Sequence, residues 1–377
     1  MLTNVYLHIV MQKLSTEKHF TLDDSLSLIN RTGAFYIARE LVNAFANMSK
    51  VRRWRLWGDS LKIDLLRKVY ARLMLKELNF MQDSEKWLWP EDKFSAFTLY
   101  LDPLYVLRNK LKRNDVVLCH DIGPISHPHL YFPETVALYK KAYDKIRASR
   151  CGVVFVSEFS KSAFIDAFGG NFRFLQSIPL YLRSNLAQVA AKPLESLNTP
   201  FFLSVGALED RKNHAKTIEA FEKGRFFERG FQLIICGSRG DSADKVKKLV
   251  SETQGVRLLG YVSDGELSWL YQHAQLFVLP SQFEGFGMPA LEAAAFGLPL
   301  VISKNNALNE AVNNLGEEVD HTSSADVARG IEAVLSLNTV QKLALSERLK
   351  ACARDSSQEK FINLWSKLIN EQCFIQD

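Results

Sequence analysis

Paired cysteines and long apolar runs are both scarce in this chain of 377 residues. Its five cysteines, Cys119, Cys151, Cys236, Cys352 and Cys373, are odd in number, far apart and never spaced as Cys-x-x-Cys. That pattern argues against a disulfide framework and a thiolate zinc site, and leaves them as small core or surface residues. No uninterrupted apolar stretch approaches the roughly 20 residues that a bilayer-crossing helix needs. Nor is there a convincing secretory leader: Val5 to Met11 is short, follows no basic residues and reads as a first strand. A cytoplasmic chain is expected. No G-x-G-x-x-G turn follows Val5 to Val10, which disfavours a dinucleotide oxidoreductase. An Asp-x-Asp pair is missing too, which weighs toward chemistry without a bound metal. Repeats, low-complexity tracts and a nucleic-acid signature are not found.

What is present is the composition of a globular protein, 47% hydrophobic and 24% charged, long enough for two domains. Apolar runs alternate with helical patterns along most of it. Val116 to Cys119, Gly152 to Val156, Phe201 to Val205, Phe231 to Cys236, Val256 to Leu259, Leu276 to Pro280 and Leu300 to Ser303 read as strands. Helices are expected over Phe35 to Met48, Glu134 to Ala148, Asp264 to His273 and Gln358 to Asn370, with others opening at Ser157 and near Pro289. Such alternation predicts parallel sheets with helices on both faces and ligands at the carboxyl ends of strands. A linker is placed at Asn185 to Thr199, and Leu300 to Ser303 is read as the last strand. Gln12 to Asn30 reads as a polar loop.

The net charge of +5 is modest, but basic residues gather before residue 80. Lys50, Arg52, Arg53 and Arg55 interleave with Trp54 and Trp57, and an amphipathic helical pattern follows over Leu61 to Leu78. Two readings stand side by side: a basic face for an anionic membrane, or a helix packed on a sheet with a solvated basic side.

The stretch richest in chemistry is Ser281 to Glu292. A buried-strand pattern leads into a loop with Gly285 and Gly287, and then into a helix with Pro289 at its start and Glu292 in its first turn. Free backbone N–H groups at a helix start, and glycines that admit a ligand to the backbone, suit a phosphate flanked by hydroxyls. Arg211 and Lys212, and the turn Gly237-Ser238-Arg239-Gly240, follow other strands and should converge on the same edge. The arginine and lysine offer positive charge for a diphosphate, the glycine turn room for a flat base, and Glu284 and Glu292 acceptors for sugar hydroxyls. A ribose diol and a hexose fit equally well.

These residues carry a resemblance. Ser281 to Glu292, running into Ala293-Ala294-Ala295-Phe296-Gly297-Leu298-Pro299, is similar to the signature of the retaining glycosyltransferases of family 4, with seven residues between its two glutamates. Gly206 with Arg211-Lys212-Asn213, Gly260-Tyr261-Val262-Ser263, Val156 to Lys161, His120-Asp121 and Arg31-Thr32-Gly33 match in the family's order. The resemblance implies a GT-B fold, two Rossmann-like doubly wound α/β domains facing each other across a cleft. The expected division is residues 1–190 for the acceptor, 200–357 for the nucleotide sugar, and 358–377 as a helix returning to the first domain. It implies that Glu284 holds the donor sugar, that Phe286, Gly287, Met288 and Leu291 line sugar and phosphate, and that Glu292 holds the ribose. Arg211 and Lys212 would neutralise the diphosphate, and His120 would face the donor sugar. Gly33 would approach phosphate or acceptor, although a single glycine stands where many relatives have two. Gly206, Ser238, Arg239, Tyr261 and Val262 would complete the donor pocket, Ser238, Arg239 and Tyr261 near the base. The implied activity is retaining, metal-independent hexosyl transfer with no cofactor beyond the nucleotide sugar. Mannose from GDP-mannose is the first choice, with UDP-glucose and related donors open, and the acceptor is a saccharide or a lipid-linked saccharide, the lipid link suggested by the Lys50 to Phe80 segment, which would attach the enzyme at the inner face of the cytoplasmic membrane. A glycosyltransferase-like subunit that binds without turnover is the non-enzymatic alternative.

Overall fold

The computed structural model describes residues 19–29, 33–58, 64–80, 89–183, 186, 189–194 and 197–373. Two compact units emerge: one holds residues up to Val156, Ala163–Ile178 and the chain from Ile362 on, the other Ser157–Ser162 and Pro179–Phe361.

Among the described residues, the first unit has a seven-stranded sheet. Its strands are β1 (Phe20–Asp23), β2 (Ser49–Arg53), β3 (Leu56–Trp57), β4 (Thr98–Tyr100), β5 (Val116–Cys119), β6 (Gly152–Phe155) and β7 (Phe174–Ser177). They lie in the order β3-β2-β1-β4-β5-β6-β7, parallel except for the β2–β3 hairpin. The strand expected at Val5 to Val10 falls outside the described residues. The expectation of a polar loop over Gln12 to Asn30 is corrected: it contains β1, an interior strand buried along its length, and a 3-10 turn at Ser25–Leu28. Hydropathy hides β1 because it is short and ends on a charge. Asp23 is buried, and its carboxylate accepts from Arg52 Nε at 3.0 Å and Nη2 at 2.5 Å on the neighbouring strand. Arg52 Nη1 donates to Pro90 O at 2.7 Å, so both charges are satisfied inside the sheet.

Within the basic segment, Lys50 to Arg53 is strand, paired with β1. Arg53 pairs with Asp24 at 2.7 Å and Arg55 with Glu77 at 2.7 Å, while the Trp54 indole donates to Glu77 at 2.8 Å. The helix Asp64–Phe80 keeps an exposed mixed face.

The second unit carries a six-stranded parallel sheet: β8 (Phe201–Val205), β9 (Gln232–Cys236), β10 (Val256–Gly260), β11 (Leu276–Leu279), β12 (Leu300–Ser303) and β13 (Glu317–Val319). Leu300 to Ser303 is therefore not the last strand; β13 pairs beyond it. The order β10-β9-β8-β11-β12-β13 has one reversal, between β8 and β11. There the loops leaving two adjacent strands part to opposite sides, the place where doubly wound sheets bind ligands. Phe202 anchors one face, its ring 5.9 Å from Phe221, 5.2 Å from Phe226 and 4.9 Å from Phe231. At the carboxyl edge, Gly206 follows β8 and Gly237 follows β9. A Cβ on Gly237 would stand 1.8 Å from the Gly206 carbonyl oxygen, so the two backbones meet where only glycine fits.

Candidate active site

The site of the second unit is built on that reversal. After β8 the chain makes a 3-10 turn at Asp210–Lys212, then Asn213 takes a left-handed conformation and opens the helix His214–Lys223. The Asn213 amide donates to Pro280 O at 2.9 Å and His321 O at 2.8 Å, and Gln282 N donates to Arg211 O at 2.7 Å. The loops after β8 and β11 are thus tied backbone to side chain. His214 is buried behind them as a neutral imidazole, its Nδ1 3.2 Å from Ser204 Oγ and its Nε2 3.3 Å from Gly206 O. Burial, with the Lys212 charge next to it, pushes its pKa down to about 4.

Glu284 is the centre of this construction. Its Oε1 lies 2.6 Å from Lys212 Nζ and accepts from Ser281 Oγ at 2.8 Å, while Oε2 accepts from Arg211 Nη1 at 3.1 Å. Arg211 Nε is held by Glu209 at 2.7 Å. Burial alone would raise the Glu284 pKa, but Lys212 and Arg211 outweigh it and hold the carboxylate below its usual range. Burial acts oppositely on Lys212 and lowers its pKa despite Glu284. A Cβ on Gly206 would sit 3.3 Å from the Lys212 chain, so this glycine leaves room for the lysine.

Glu292 occupies a second, separate nest. The helix starts at Met288, with Gly287 (φ 105°) capping it and Pro289 in its second position. Glu292 therefore sits in the second turn rather than the first, and the helix dipole is not its main partner. Its Oε1 accepts from Arg183 Nε at 2.9 Å and its Oε2 from the Tyr271 hydroxyl at 3.2 Å. Burial outweighs Arg183 here and raises the Glu292 pKa. The two glutamates thus differ in proton affinity as well as in position.

Of the other expected donor-binding residues, Phe286 and Leu291 are buried, and Met288 is half-buried. Ser238 and Arg239 are exposed after β9, where Leu208 N donates to Ser238 O at 2.9 Å. Tyr261 is exposed after β10, with Val262 half-buried beside it. His120 and Gly33 belong to the first unit. His120 follows β5 with Nε2 2.8 Å from Leu101 O, and burial lowers its pKa. Gly33 is the first residue of the helix Gly33–Ala44, and Arg31 and Thr32 lie outside the described residues.

Several partners escaped sequence reasoning. Tyr271 lies in a helical repeat and looks like core; Arg183 belongs to no periodic element, and nothing local singles it out. The Gly285 carbonyl accepts from Ser157 Oγ at 2.6 Å and Ser160 Oγ at 3.1 Å, and Glu310 accepts from the N–H groups of Glu158 and Phe159 at 2.9 and 3.1 Å. The Ser157 to Ser160 match in the family pattern thus supports the glycine loop.

Two doubly wound α/β sheets, parallel apart from the β2–β3 hairpin, with cationic and carboxylate groups gathered at a strand-order reversal in the second, define the class of fold. The solved structure of Anabaena HepE in complex with UDP-glucose overlays with a TM-score of 0.68 at 16% identity, covering 93% of this chain and 99% of that one. The architecture is GT-B. Residues 188–355 match the family model described as glycosyl transferases group 1, so the chain carries a glycosyltransferase group 1 domain. Among named relatives, it is 28% identical to O-antigen chain mannosyltransferase B of Escherichia coli, over 77% of this chain and 83% of the relative. It is 30% identical to O-antigen chain mannosyltransferase RfbU of Salmonella typhimurium, over 54% of this chain and 56% of the relative.

Proposed function

We propose that the protein transfers a mannosyl group from GDP-mannose to a saccharide acceptor in the assembly of a bacterial surface polysaccharide, with retention of configuration and without a metal. The observation that carries this reading is the Glu284 carboxylate held between Lys212 Nζ at 2.6 Å and Arg211 Nη1 at 3.1 Å, at the strand-order reversal. The likeness to two O-antigen mannosyltransferases supports the sugar. UDP-glucose is the alternative donor.

Breaking the bond from anomeric carbon to phosphate leaves positive charge on the sugar and negative charge on the diphosphate. Arg211, Lys212 and the Met288 helix start stabilise the leaving group as that charge appears. Donor binding exchanges part of the Glu284 ion pair for sugar hydroxyls and diphosphate oxygens. Glu292 accepts from the ribose hydroxyls. The acceptor hydroxyl attacks on the face that the diphosphate leaves and passes its proton to the departing phosphate, so no separate base is required. His120 is assigned to the donor sugar. Mixing GDP-mannose and UDP-glucose in turn with oligosaccharide acceptors in the presence of a chelator, and following diphosphate release and product anomer by NMR, tests the proposal. An inverted product, strict metal dependence, or no release from either donor refutes it.

A lipid-linked acceptor is favoured by the helix Asp64–Phe80. It exposes Leu66, Val69 and Leu73 at helical spacing, with Arg72 and Lys76 also exposed. Peripheral attachment through this face predicts flotation with anionic liposomes at low salt, lost in a Leu66→Ser, Leu73→Ser variant.

A further inference from the structure

Away from these residues the first unit contains a cavity of about 770 Å³, within the size range of ligand pockets. It is lined by the carboxyl end of the Gly33–Ala44 helix at Val42 and Asn43, by Lys50 at the start of β2, by Trp57 of β3, and by the loop with Asp92 and Phe94. The unit's sheet is parallel at β2, β1, β4 and β5, so the cavity opens beside the amino end of β2, whereas His120 follows the carboxyl end of β5. Transfer chemistry in such sheets belongs to the carboxyl edge, which sets the cavity apart.

Its walls pair aromatic surface with a fixed carboxylate. Phe94 is 84% exposed, an unusual cost for a large apolar ring, and Trp57 is 38% exposed. The Phe94 loop is nonetheless built to a set geometry: Phe94 N donates to Asp92 Oδ1 at 3.0 Å, and Ser95 N to Asp92 O at 3.2 Å. Lys50 Nζ at 2.7 Å and His19 Nε2 at 3.2 Å hold the other Asp92 oxygen. Burial would raise the Asp92 pKa, but these donors hold it at about 2, so the carboxylate stays ionised. Among the described lining residues, Glu91 and Asp92 outnumber the cation Lys50, a balance unsuited to phosphate or sulfate. Ionised carboxylates accept from hydroxyls, and aromatic faces take the C–H side of a pyranose ring, which is apolar.

Resting on the glycosyltransferase reading, we propose that this cavity is a second binding site for a neutral saccharide chain, holding the polymer away from the point of transfer. A chain bound in two places raises its effective concentration at the reacting end without new contacts there. The test uses the full-length protein with neutral manno-oligosaccharides of four to six sugars and no nucleotide, and reads binding by saturation-transfer NMR and calorimetry. Phe94→Ala and Trp57→Ala are expected to weaken binding by about tenfold or more. In turnover they raise KM for long acceptors, with KM for short acceptors and for the donor unchanged. Phe94 is exposed, so that variant keeps the fold, and circular dichroism checks it. Absence of oligosaccharide binding, or equal binding by wild type and Phe94→Ala, overturns the proposal. Binding that depends on Phe94 in a protein without transferase activity sustains the cavity and sinks the functional reading instead.

Discussion

Glu284→Gln separates structure from chemistry when combined with Lys212→Met. The side chains of Lys212 and Glu284 are 8% and 6% exposed, so neither charge can be rehydrated if its partner is removed. Breaking a buried ion pair on one side costs about 3–5 kcal/mol. For Glu284→Gln the lower end applies, because the glutamine oxygen still accepts from Lys212 and Arg211 keeps Glu209 at 2.7 Å. Lys212→Met leaves Glu284 with Arg211 and Ser281 and should cost a similar amount. The double variant removes both charges together, so its cost should fall short of the sum by about 2 kcal/mol or more. Turnover should behave otherwise. Each single variant loses about 10²–10³ in kcat, since a preorganised charge at the diphosphate or a sugar contact is gone, and the double variant regains none of it. Denaturant unfolding of the three variants gives the stabilities, and diphosphate release gives the rates. If turnover returns together with stability in the double variant, the pair is structural and the site assignment fails.

Glu292→Gln should raise KM for the nucleotide sugar about tenfold while kcat changes little, because the ribose gains no charge in the transition state; steady-state kinetics decides it, and a fall in kcat at unchanged KM contradicts the assignment. His214 makes stability depend on pH. Its folded pKa of about 4 lies below its ordinary 6.5, so the unfolded chain binds more protons between those values. The stabilisation is complete above pH 6.5 and is lost as pH falls toward 4, by roughly 3 kcal/mol. Asp24, Asp102 and Asp115, raised by burial to about 6, 7 and 6, act with the opposite sign, so the difference in unfolding free energy between wild type and His214→Gln is the quantity to measure. Gly237→Ala should destabilise by more than about 3 kcal/mol through its clash with Gly206 O, whereas Gly260→Ala, with φ 70° and nothing within 4 Å of a Cβ, should cost only about 1–2 kcal/mol in thermal or denaturant unfolding.

Most of the architecture is legible in the sequence. Val116–Cys119, Phe201–Val205 and Leu300–Ser303 are strands at the residues read from hydropathy, and the Asp264–His273 helix has the expected ends, marked by its capping box at Ser263 and Glu266. Buried parallel strands are runs of apolar residues, and caps are contiguous in sequence, so both signals are local. The grouping of Arg211, Lys212 and Glu284 was also legible, since residues following strands of one parallel sheet share an edge.

What tertiary structure alone decided involves charge paired across long separations. β1 reads as polar loop because its Asp23 is neutralised by Arg52 on another strand, and the same contact turns that arginine of the basic cluster inward. Arg183 reaches Glu292 from outside any periodic element. Hydrophobic burial leaves a periodic trace in the residues that undergo it, and so the sequence by itself determined the sheets and the edge that carries the site. A buried charge leaves none, because its cost is met by a partner whose position exists only in the folded chain.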